Sequence, residues 1–477
     1  MVVGSGMAGL TCAAELAAAG CETTVVSAGR VGRDGATHRV HALAPWILLT
    51  APWVRGDSPE RFLADLKRRG AGCEHAGLAE VLAESAHAAV VKLIADLDLE
   101  RIDAEPVTLP GDELPRGVRC LPRRRHLVLA PLLARCLSAG VRVRERTVVF
   151  GLLLEGASAS GVLAVGRDGG APALLEADAV VLASGGGGAV FPVTTAPRWC
   201  RGTGLALADA SGALLHRPGL AQALPVTATP PLFFPSSVAL LRSRIEVDGS
   251  VLPPDQDVES TALAIARAVR SGAQVLLEPN GDAAAILPAR VRASASFRRL
   301  GRVPLTVAQH HSIGGVAIDA WGRTSLAGLY ACGEAAGGVQ GRRRTMGTGL
   351  LEAAIFGERV ARAVAGDARR RAPRTGGGAA WAAPAIPAEP TRLERRLDEL
   401  LGPLVMVRPE AAVEDASREL GVWPSSPAGP GPLGSAAALA AIRLRAALAM
   451  LRSFREDRAD GTAVLPGSGS GEVRWST

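Results

Sequence analysis

Three glycines near the start of the chain, Gly4, Gly6 and Gly9, have the G-x-G-x-x-G spacing that can bind a phosphate group. In this pattern the first glycine permits a tight turn, and the second lets the backbone approach a pyrophosphate. The third lets a helix pack closely on a strand. A helix that begins there adds unpaired N–H groups and a partial positive charge for phosphates. The predicted dinucleotide-binding residues are Gly4, Ser5, Gly6, Met7, Ala8 and Gly9.

A strand, a helix and a second strand must position these glycines. Val2 and Val3 are typical of the end of a buried strand, and an alanine-rich helix is predicted from Leu10 to Ala19. The second strand is predicted from Thr23 to Ser27. Because G-x-G-x-x-G also occurs in ordinary turns, the βαβ order of the elements is what favours a dinucleotide site here.

The length and composition exclude several classes of protein. With 477 residues the chain can form two or three domains. We expect no secretory signal and no membrane span, because no apolar stretch approaches about 20 residues. The seven cysteines form no C-x-x-C pair, which argues against zinc sites, iron–sulfur clusters and a disulfide framework and favours a reducing cytoplasm.

The net charge of +7 does not indicate nucleic-acid binding. Only two positive residues are lysines, Lys67 and Lys92, and the arginines are spread along the whole chain. Aromatic residues make up only 3% of the chain, which is too few for base-stacking platforms. We therefore expect a small-molecule substrate and no nucleic-acid partner.

Five motifs in order carry a resemblance to a known family: GSGMAGL, AVVLASGGGG, TTAPRWCRGTGLALADASGALL, HHSIGGVAID and GRTSLAGLYACGEAAGG. The chain resembles the succinate dehydrogenase and fumarate reductase flavoproteins, and within them it is most similar to the L-aspartate oxidases. The likeness extends to PLVMVRPEAAVEDASREL near the C-terminus and so spans nearly the whole chain.

This resemblance implies an α/β fold with three parts. They are a Rossmann-like FAD-binding domain, an inserted α+β capping domain for the substrate, and a C-terminal helical domain. The predicted boundaries are 1–214 and 311–371 for the FAD-binding domain, 215–310 for the capping domain, 372–390 for a linker, and 391–477 for the helical domain and tail.

The resemblance also implies a bound FAD and gives further residues a role toward it. The Ser27 hydroxyl can accept a hydrogen bond from the adenine ribose, and the Glu334 carboxylate can bind ribityl hydroxyls. The helix that opens at Gly349 would direct its N-terminus at the flavin, where it stabilises negative charge on the reduced ring. The further cofactor-binding residues expected are Ser27, Ser184, Gly185, Gly186, Gly333, Glu334, Thr348, Gly349 and Leu350.

We expect the FAD to be held non-covalently. His38 can be aligned near a histidine that succinate dehydrogenases join to flavin, but a loop histidine is the favoured interpretation. We also expect that the first strand continues upstream of Met1, because such strands usually have about five or six residues.

The resemblance implies oxidation of a carboxylate substrate. Family members of the L-aspartate oxidase type transfer a hydride from L-aspartate to flavin, are reoxidised by oxygen or fumarate, and serve NAD biosynthesis. Arg344, His310 and Arg242 are the candidate catalytic residues, since guanidinium groups suit carboxylates. The alternatives are that His310 is a core histidine and that Arg344 belongs to a solvated arginine run.

Other positions depart from the family pattern. Leu224 precedes Pro225 where the family carries a histidine before proline, and Ala262 stands where the family carries its catalytic arginine. Three interpretations stay open. The chain is an L-aspartate oxidase-like enzyme with a rebuilt carboxylate site, an enzyme of the same fold with a different and less charged substrate, or a flavin-binding protein without oxidase activity.

Overall fold

The parallel sheet expected at the start of the chain is the centre of the computed structural model. Its five strands run in the spatial order Leu329–Ala331, Val180–Leu182, Val2–Val3, Thr24–Val26 and Arg142–Arg144, and all neighbours are parallel. The structure describes residues 1–43, 46–109, 112–124, 127–228, 243–252, 258–280, 284, 287, 289–368, 380–404, 410–426 and 434–459.

Helix Met7–Ala18 packs on this sheet because its small residues allow close approach. Most of the helix is buried, and Gly9 lets it approach the turn that follows the first strand. Helix Gly349–Ala368 lies against it, and a Cβ atom on Gly357 would lie 2.8 Å from the Ala8 carbonyl oxygen. The first and last helices of this part of the chain thus form one layer on the sheet.

Smaller sheets and helices surround this centre, and they bring distant segments of the chain together. The helices are Ala36–Leu43, Pro59–Gly70, Ala76–Asp96, Ala130–Ser138 and Thr203–Ala210. One sheet contains Ile47–Thr50, Gly117–Pro122 and Leu99–Arg101, and another contains Ala380–Ala382, Thr147–Glu155, Ser158–Gly166 and Ala173–Glu176. A third contains Leu215–His216, Gly315–Ala317 and Ala336–Gly337.

A five-stranded sheet with its own apolar core covers the carboxyl ends of the parallel strands. Its strand order is Ala221–Thr227, Val303–Ser312, Val275–Pro279, Ser243–Val247 and Ser250–Val251, and every neighbouring pair is antiparallel. Helix Val258–Arg270 packs on it, followed by the short helices Ala289–Arg292 and Ala295–Leu300. We call this part of the chain the capping region.

The described residues of the predicted C-terminal helical domain are mostly helical. Helices Pro390–Leu401, Glu410–Gly421 and Ser435–Ala459 share a core that also covers the hairpin of Thr147–Glu155 and Ser158–Gly166. Strands Ile386–Pro387 and Ser425–Ser426 form a two-stranded ladder, and short 3₁₀ turns lie at Gly188–Val190, Gly333–Ala335 and Gly402–Leu404.

The predicted fold class is confirmed: the structure has a parallel sheet, an antiparallel capping region and C-terminal helices. The domain boundaries stay a prediction. Part of the segment predicted as a linker, Ala380–Ala382, is an edge strand beside Thr147–Glu155. Within the described ranges, no helix has the length and apolar character needed to cross a membrane.

Candidate functional site

A cleft of about 290 Å³ opens where the parallel strands end and the capping region begins. Residues that directly follow four of the parallel strands line it, namely Gly4, Ser27, Ala183 and Cys332. Ligands of open parallel sheets bind at this edge, because the strand ends splay apart there. The topology therefore places the predicted dinucleotide residues and the capping region around one cavity.

The three glycines of the first motif have three different environments. Gly4 has φ +115°, and a Cβ atom there would lie 2.1 Å from the Ala183 carbonyl oxygen. A Cβ atom on Gly9 would lie 2.1 Å from the Gly4 carbonyl oxygen, so that glycine permits the contact between strand and helix. Gly6 faces the cleft, and the nearest protein atom to a Cβ there is Thr37 Oγ1 at 3.4 Å. Only Gly6 leaves its space open to a ligand.

The other residues of this motif form the floor of the same end of the cleft. The Ser5 and Ser27 hydroxyl oxygens are 2.9 Å apart and share a hydrogen bond. The Met7 amide N–H donates to Thr37 Oγ1 at 3.2 Å, and Ala8 also lines the cavity. The Ser27 hydroxyl thus lies at the end of its strand, where a ribose would reach it.

A second segment of the cleft lining is the glycine run that follows strand Val180–Leu182. Gly185 has φ +77°, a conformation that glycine adopts without strain. The Gly204 amide N–H donates to Ser184 Oγ at 2.9 Å, so this serine also holds the start of helix Thr203–Ala210. Gly186 is packed behind the lining, since a Cβ atom there would lie 2.4 Å from Glu334 Oε1.

Glu334 lies between this glycine run and the capping region. The Ser312 amide N–H donates to Glu334 Oε1 at 2.8 Å, and the adjacent Gly333 has φ +62°. Burial raises the pKa of Glu334 to about 7, although the Ser312 amide and the charge of Arg344 oppose that shift. At neutral pH this carboxyl group is therefore partly protonated, so it can either donate a hydrogen bond to a ligand hydroxyl or accept one from it.

The last predicted cofactor segment opens helix Gly349–Ala368. Gly349 and Leu350 line the cleft, but Thr348 is fully buried behind them. The Thr348 hydroxyl lies 2.6 Å from the Thr345 carbonyl oxygen and 3.0 Å from Gln340 Oε1. The structure thus directs this side chain into the protein and leaves the helix N-terminus itself at the cavity.

Arg344 lies at that helix N-terminus, and a Cβ atom on Gly349 would be 2.5 Å from its Nη2. Its Nη1 donates to Gln222 Oε1 at 3.3 Å. Among the described residues its buried Nε has no hydrogen-bond partner. Burial lowers the pKa of Arg344, while Glu352, Glu334 and Glu259 partly offset that shift by their charge. Arg344 is thus a half-buried cation whose unpaired Nε can bind an anion in the cleft.

Two consecutive histidines line the cleft beside Arg344. The His310 Nδ1 is 2.8 Å from Thr195 Oγ1, which orients the ring. The His311 Nδ1 is 3.7 Å from Glu334 Oε1. Burial lowers the pKa of His311 well below its usual value, and the charges of Arg344 and His310 lower it further. His311 is accordingly held as a neutral imidazole, because its surroundings disfavour the protonated form.

The sequence did not indicate two polar residues of the capping region, Gln222 and Glu259. The Gln222 amide Nε2 donates to Glu259 Oε1 at 2.7 Å, while its Oε1 accepts from Arg344. Gln222 lies two residues before Leu224 on strand Ala221–Thr227, and both line the cleft. A register shift between Gln222 and Ala223 interrupts the strand alternation there, so the sequence carries no simple signal for Gln222.

The remaining predicted residues lie in different places. Leu224 lines the cleft, and Ala262 is buried in the apolar core of the capping region. His38 is not among the residues that line the cleft. Arg242 lies outside the described residues, so the structure gives it no position.

These residues suit an extended dinucleotide flavin better than a compact ligand. The lining runs from Ser27 past the open Gly6 and Ser184 to the N-terminus of helix Gly349–Ala368. The open space beside the Gly6 backbone suits a pyrophosphate. Hydroxyl groups lie at one end of the lining, and a helix N-terminus lies at the other. The cavity therefore fits the chemistry of FAD.

Comparisons with known proteins agree with this geometry. The family model described as FAD binding domain matches residues 1–291 and 278–350. The L-aspartate oxidase of Caulobacter vibrioides is 30% identical over 401 residues, which cover 77% of this chain and 76% of that protein. The L-aspartate oxidase of Streptomyces coelicolor is 31% identical over 427 residues, which cover 76% of this chain and 68% of that protein.

A solved structure of similar fold is a quinol-fumarate reductase with menaquinol molecules. Its TM-score is 0.76 at 16% identity, over 94% of this chain and 89% of that chain. At this identity the likeness concerns the fold alone.

Proposed function

Because this chain belongs to the succinate dehydrogenase and fumarate reductase family of FAD-dependent oxidoreductases, we propose that it oxidises a small carboxylate substrate. The reaction is of the L-aspartate oxidase type, in which a hydride leaves the carbon next to a carboxylate. The similarity to two L-aspartate oxidases supports this reaction type.

The observation that carries the proposal is the state of Arg344. Arg344 is half-buried, and a guanidinium that is partly removed from water loses hydration that an opposite charge can compensate. Among the described residues Arg344 has one neutral acceptor, Gln222 Oε1, and its Nε has no partner. A substrate carboxylate at this position would satisfy both the charge and the unpaired donor through a bidentate contact. Arg344 is thus the proposed anchor for the substrate.

The chain's own residues would hold the cofactor next to that anchor. Gly6 and Ser184 would approach the pyrophosphate, Ser27 the adenosine, and Glu334 the ribityl chain. When bound, FAD supplies the acceptor for the hydride. The N-terminus of helix Gly349–Ala368 would place partial positive charge against the ring and favour its reduced, anionic form.

The two histidines would contact the substrate beside Arg344. Burial and neighbouring positive charge lower the pKa of His311 well below its usual value, so His311 stays neutral and would be a hydrogen-bond partner rather than a strong base. His310, which Thr195 orients and which also lines the cleft, would be the proton acceptor. General base catalysis by a positioned imidazole contributes about 10²- to 10⁴-fold to a rate.

Anaerobic titration of the flavin-loaded protein tests this proposal. We expect L-aspartate or another small carboxylate to bleach the flavin absorbance, and Arg344→Gln to weaken that response about 10- to 150-fold in substrate affinity. Arg342→Gln is the matched control, since Arg342 does not line the cleft. Flavin that resists every carboxylate, or bleaching that is indifferent to Arg344→Gln, would contradict the proposal.

A further inference from the structure

Arg69 is a second arginine that lines the cleft together with Arg344. It lies in the last turn of helix Pro59–Gly70, and its Nη2 donates to the Arg344 carbonyl oxygen at 3.3 Å. The Arg343 amide N–H donates to the Arg69 carbonyl oxygen at 3.1 Å. These contacts hold the end of the helix against the backbone of Arg343 and Arg344.

Two glycines let these segments approach closely. A Cβ atom on Gly341 would lie 2.4 Å from the Gly70 carbonyl oxygen, and the Arg342 amide N–H donates to the same oxygen at 2.9 Å. Close packing of two backbones leaves little freedom for either one. The position of Arg69 relative to Arg344 is therefore set by main-chain contacts as well as by the side chain.

The charged groups near these arginines leave room for an anion on the cleft side. Glu259 also lines the cleft, and its Oε2 lies 4.0 Å from Arg343 Nε. The charge of Arg69 opposes the rise in the pKa of Asp112 that burial causes, but Asp112 does not line the cleft. A ligand in the cleft thus meets two guanidinium groups, Arg69 and Arg344, from one side.

We propose that Arg69 binds a second carboxylate of the substrate while Arg344 binds the first, so that Arg69 determines a preference for dicarboxylates over monocarboxylates. This inference rests on the proposed function, since it takes Arg344 as the first anchor. A guanidinium has several N–H donors in a planar fork, so Arg69 can hold the Arg344 carbonyl oxygen and a carboxylate together. A purely structural Arg69, which only holds that backbone, is the competing explanation.

Succinate and succinamate distinguish these two roles. They have the same length and shape, but succinamate carries a neutral amide in place of the second carboxylate. We would titrate the flavin-loaded protein by calorimetry with the flavin kept reduced under nitrogen, because reduced flavin accepts no hydride and the heats then report binding alone. We expect succinate to bind about 10- to 150-fold more tightly than succinamate.

Arg69→Gln removes the second positive charge. We expect it to weaken succinate binding about 10- to 150-fold and to leave succinamate binding nearly unchanged. Arg69→Lys keeps the charge and should retain part of the preference, although it loses the planar fork. Arg61→Gln is the matched control, because Arg61 is exposed on the same helix and does not line the cleft.

The outcomes separate this inference from the proposed function. A wild-type protein without a preference for succinate, including one that binds neither ligand, would overturn the inference even if Arg69→Gln does not fold. An equal loss of both ligands in Arg69→Gln would also overturn it, because a structural role predicts that result. The proposed function stands in these cases if Arg344→Gln still weakens the bleaching of oxidised flavin by a carboxylate, and it fails if no carboxylate bleaches the flavin.

Discussion

Replacing Gly6 by alanine tests whether a ligand occupies the space beside the backbone at this position. Gly6 has φ −76°, which alanine adopts readily, and the nearest protein atom to a new Cβ is Thr37 Oγ1 at 3.4 Å. The folded chain can therefore accommodate the methyl group. We expect the free energy of unfolding of the flavin-free protein to change by no more than about 0.5 kcal/mol.

The same methyl group would project into the space that the pyrophosphate needs. A carbon contact requires about 3.5–4.0 Å, whereas a hydrogen-bonded phosphate oxygen approaches a backbone nitrogen to about 2.9 Å. The phosphate would have to withdraw and lose a charge-assisted hydrogen bond, which is worth about 1.5–3 kcal/mol. We expect FAD affinity to fall about 10- to 150-fold.

Gly4→Ala is the matched variant with the opposite result. Gly4 has φ +115°, and its Cβ would lie 2.1 Å from the Ala183 carbonyl oxygen. The backbone conformation costs about 1–2 kcal/mol and the overlap about 1–3 kcal/mol, or about 2–5 kcal/mol together. This is a large part of a typical unfolding free energy of about 5–15 kcal/mol. Gly4→Ala should therefore destabilise the protein even without FAD.

Circular-dichroism melting curves of both variants, with and without added FAD, separate these effects. Flavin content after gel filtration gives a second measure. Gly6→Ala should melt like the wild type without FAD and gain less from added FAD, because a ligand stabilises only the state that it binds. Equal flavin content in Gly6→Ala and wild type would refute the ligand role of this backbone. A Gly4→Ala protein as stable as the wild type would refute the packing argument.

Two further predictions concern buried charges. Because burial raises the pKa of Glu334 from 4.5 to about 7, the folded protein keeps a proton that the unfolded chain releases, and stability falls as the pH rises through that window. Glu334→Gln should reduce this loss in melting temperatures of the flavin-free protein measured from pH 5 to pH 8, whereas an unchanged profile would contradict the shift. Arg116 is buried, and its Nε and Nη2 donate to Asp57 at 2.7 and 2.9 Å. Arg116→Ala should lower the free energy of unfolding in urea by about 3–5 kcal/mol, because it leaves the buried Asp57 carboxylate without its counter-ion; a loss below about 1 kcal/mol would count against this ion pair.

The first motif and the helices could be predicted because their signals are local. The conformation at Gly4 and the helix after Gly6 depend on residues a few positions apart, and apolar periodicity indicates which face a helix buries. The three-part α/β fold and the roles of the flavin motifs were expected from the family resemblance. The C-terminal helical domain predicted from residue 391 has its first helix at Pro390–Leu401.

Side-chain direction limited what the sequence could predict at the site. Thr348 belongs to a cleft-facing motif by position, yet its hydroxyl contacts Thr345 and Gln340 inside the protein. Gly186 likewise packs against Glu334. A turn's local backbone rotation decides which of two adjacent residues faces the ligand, and residue type alone does not determine it.

The dinucleotide βαβ unit and the residues that follow its parallel strands could be predicted from the amino-acid sequence alone. Only the tertiary structure brought Arg344, Gln222 and Glu259 together, because they come from three segments separated by tens of residues. Their contact depends on how the capping region packs over the strand ends. Local propensity carries no information on that packing, since it results from the sum of many apolar contacts across the two sheets.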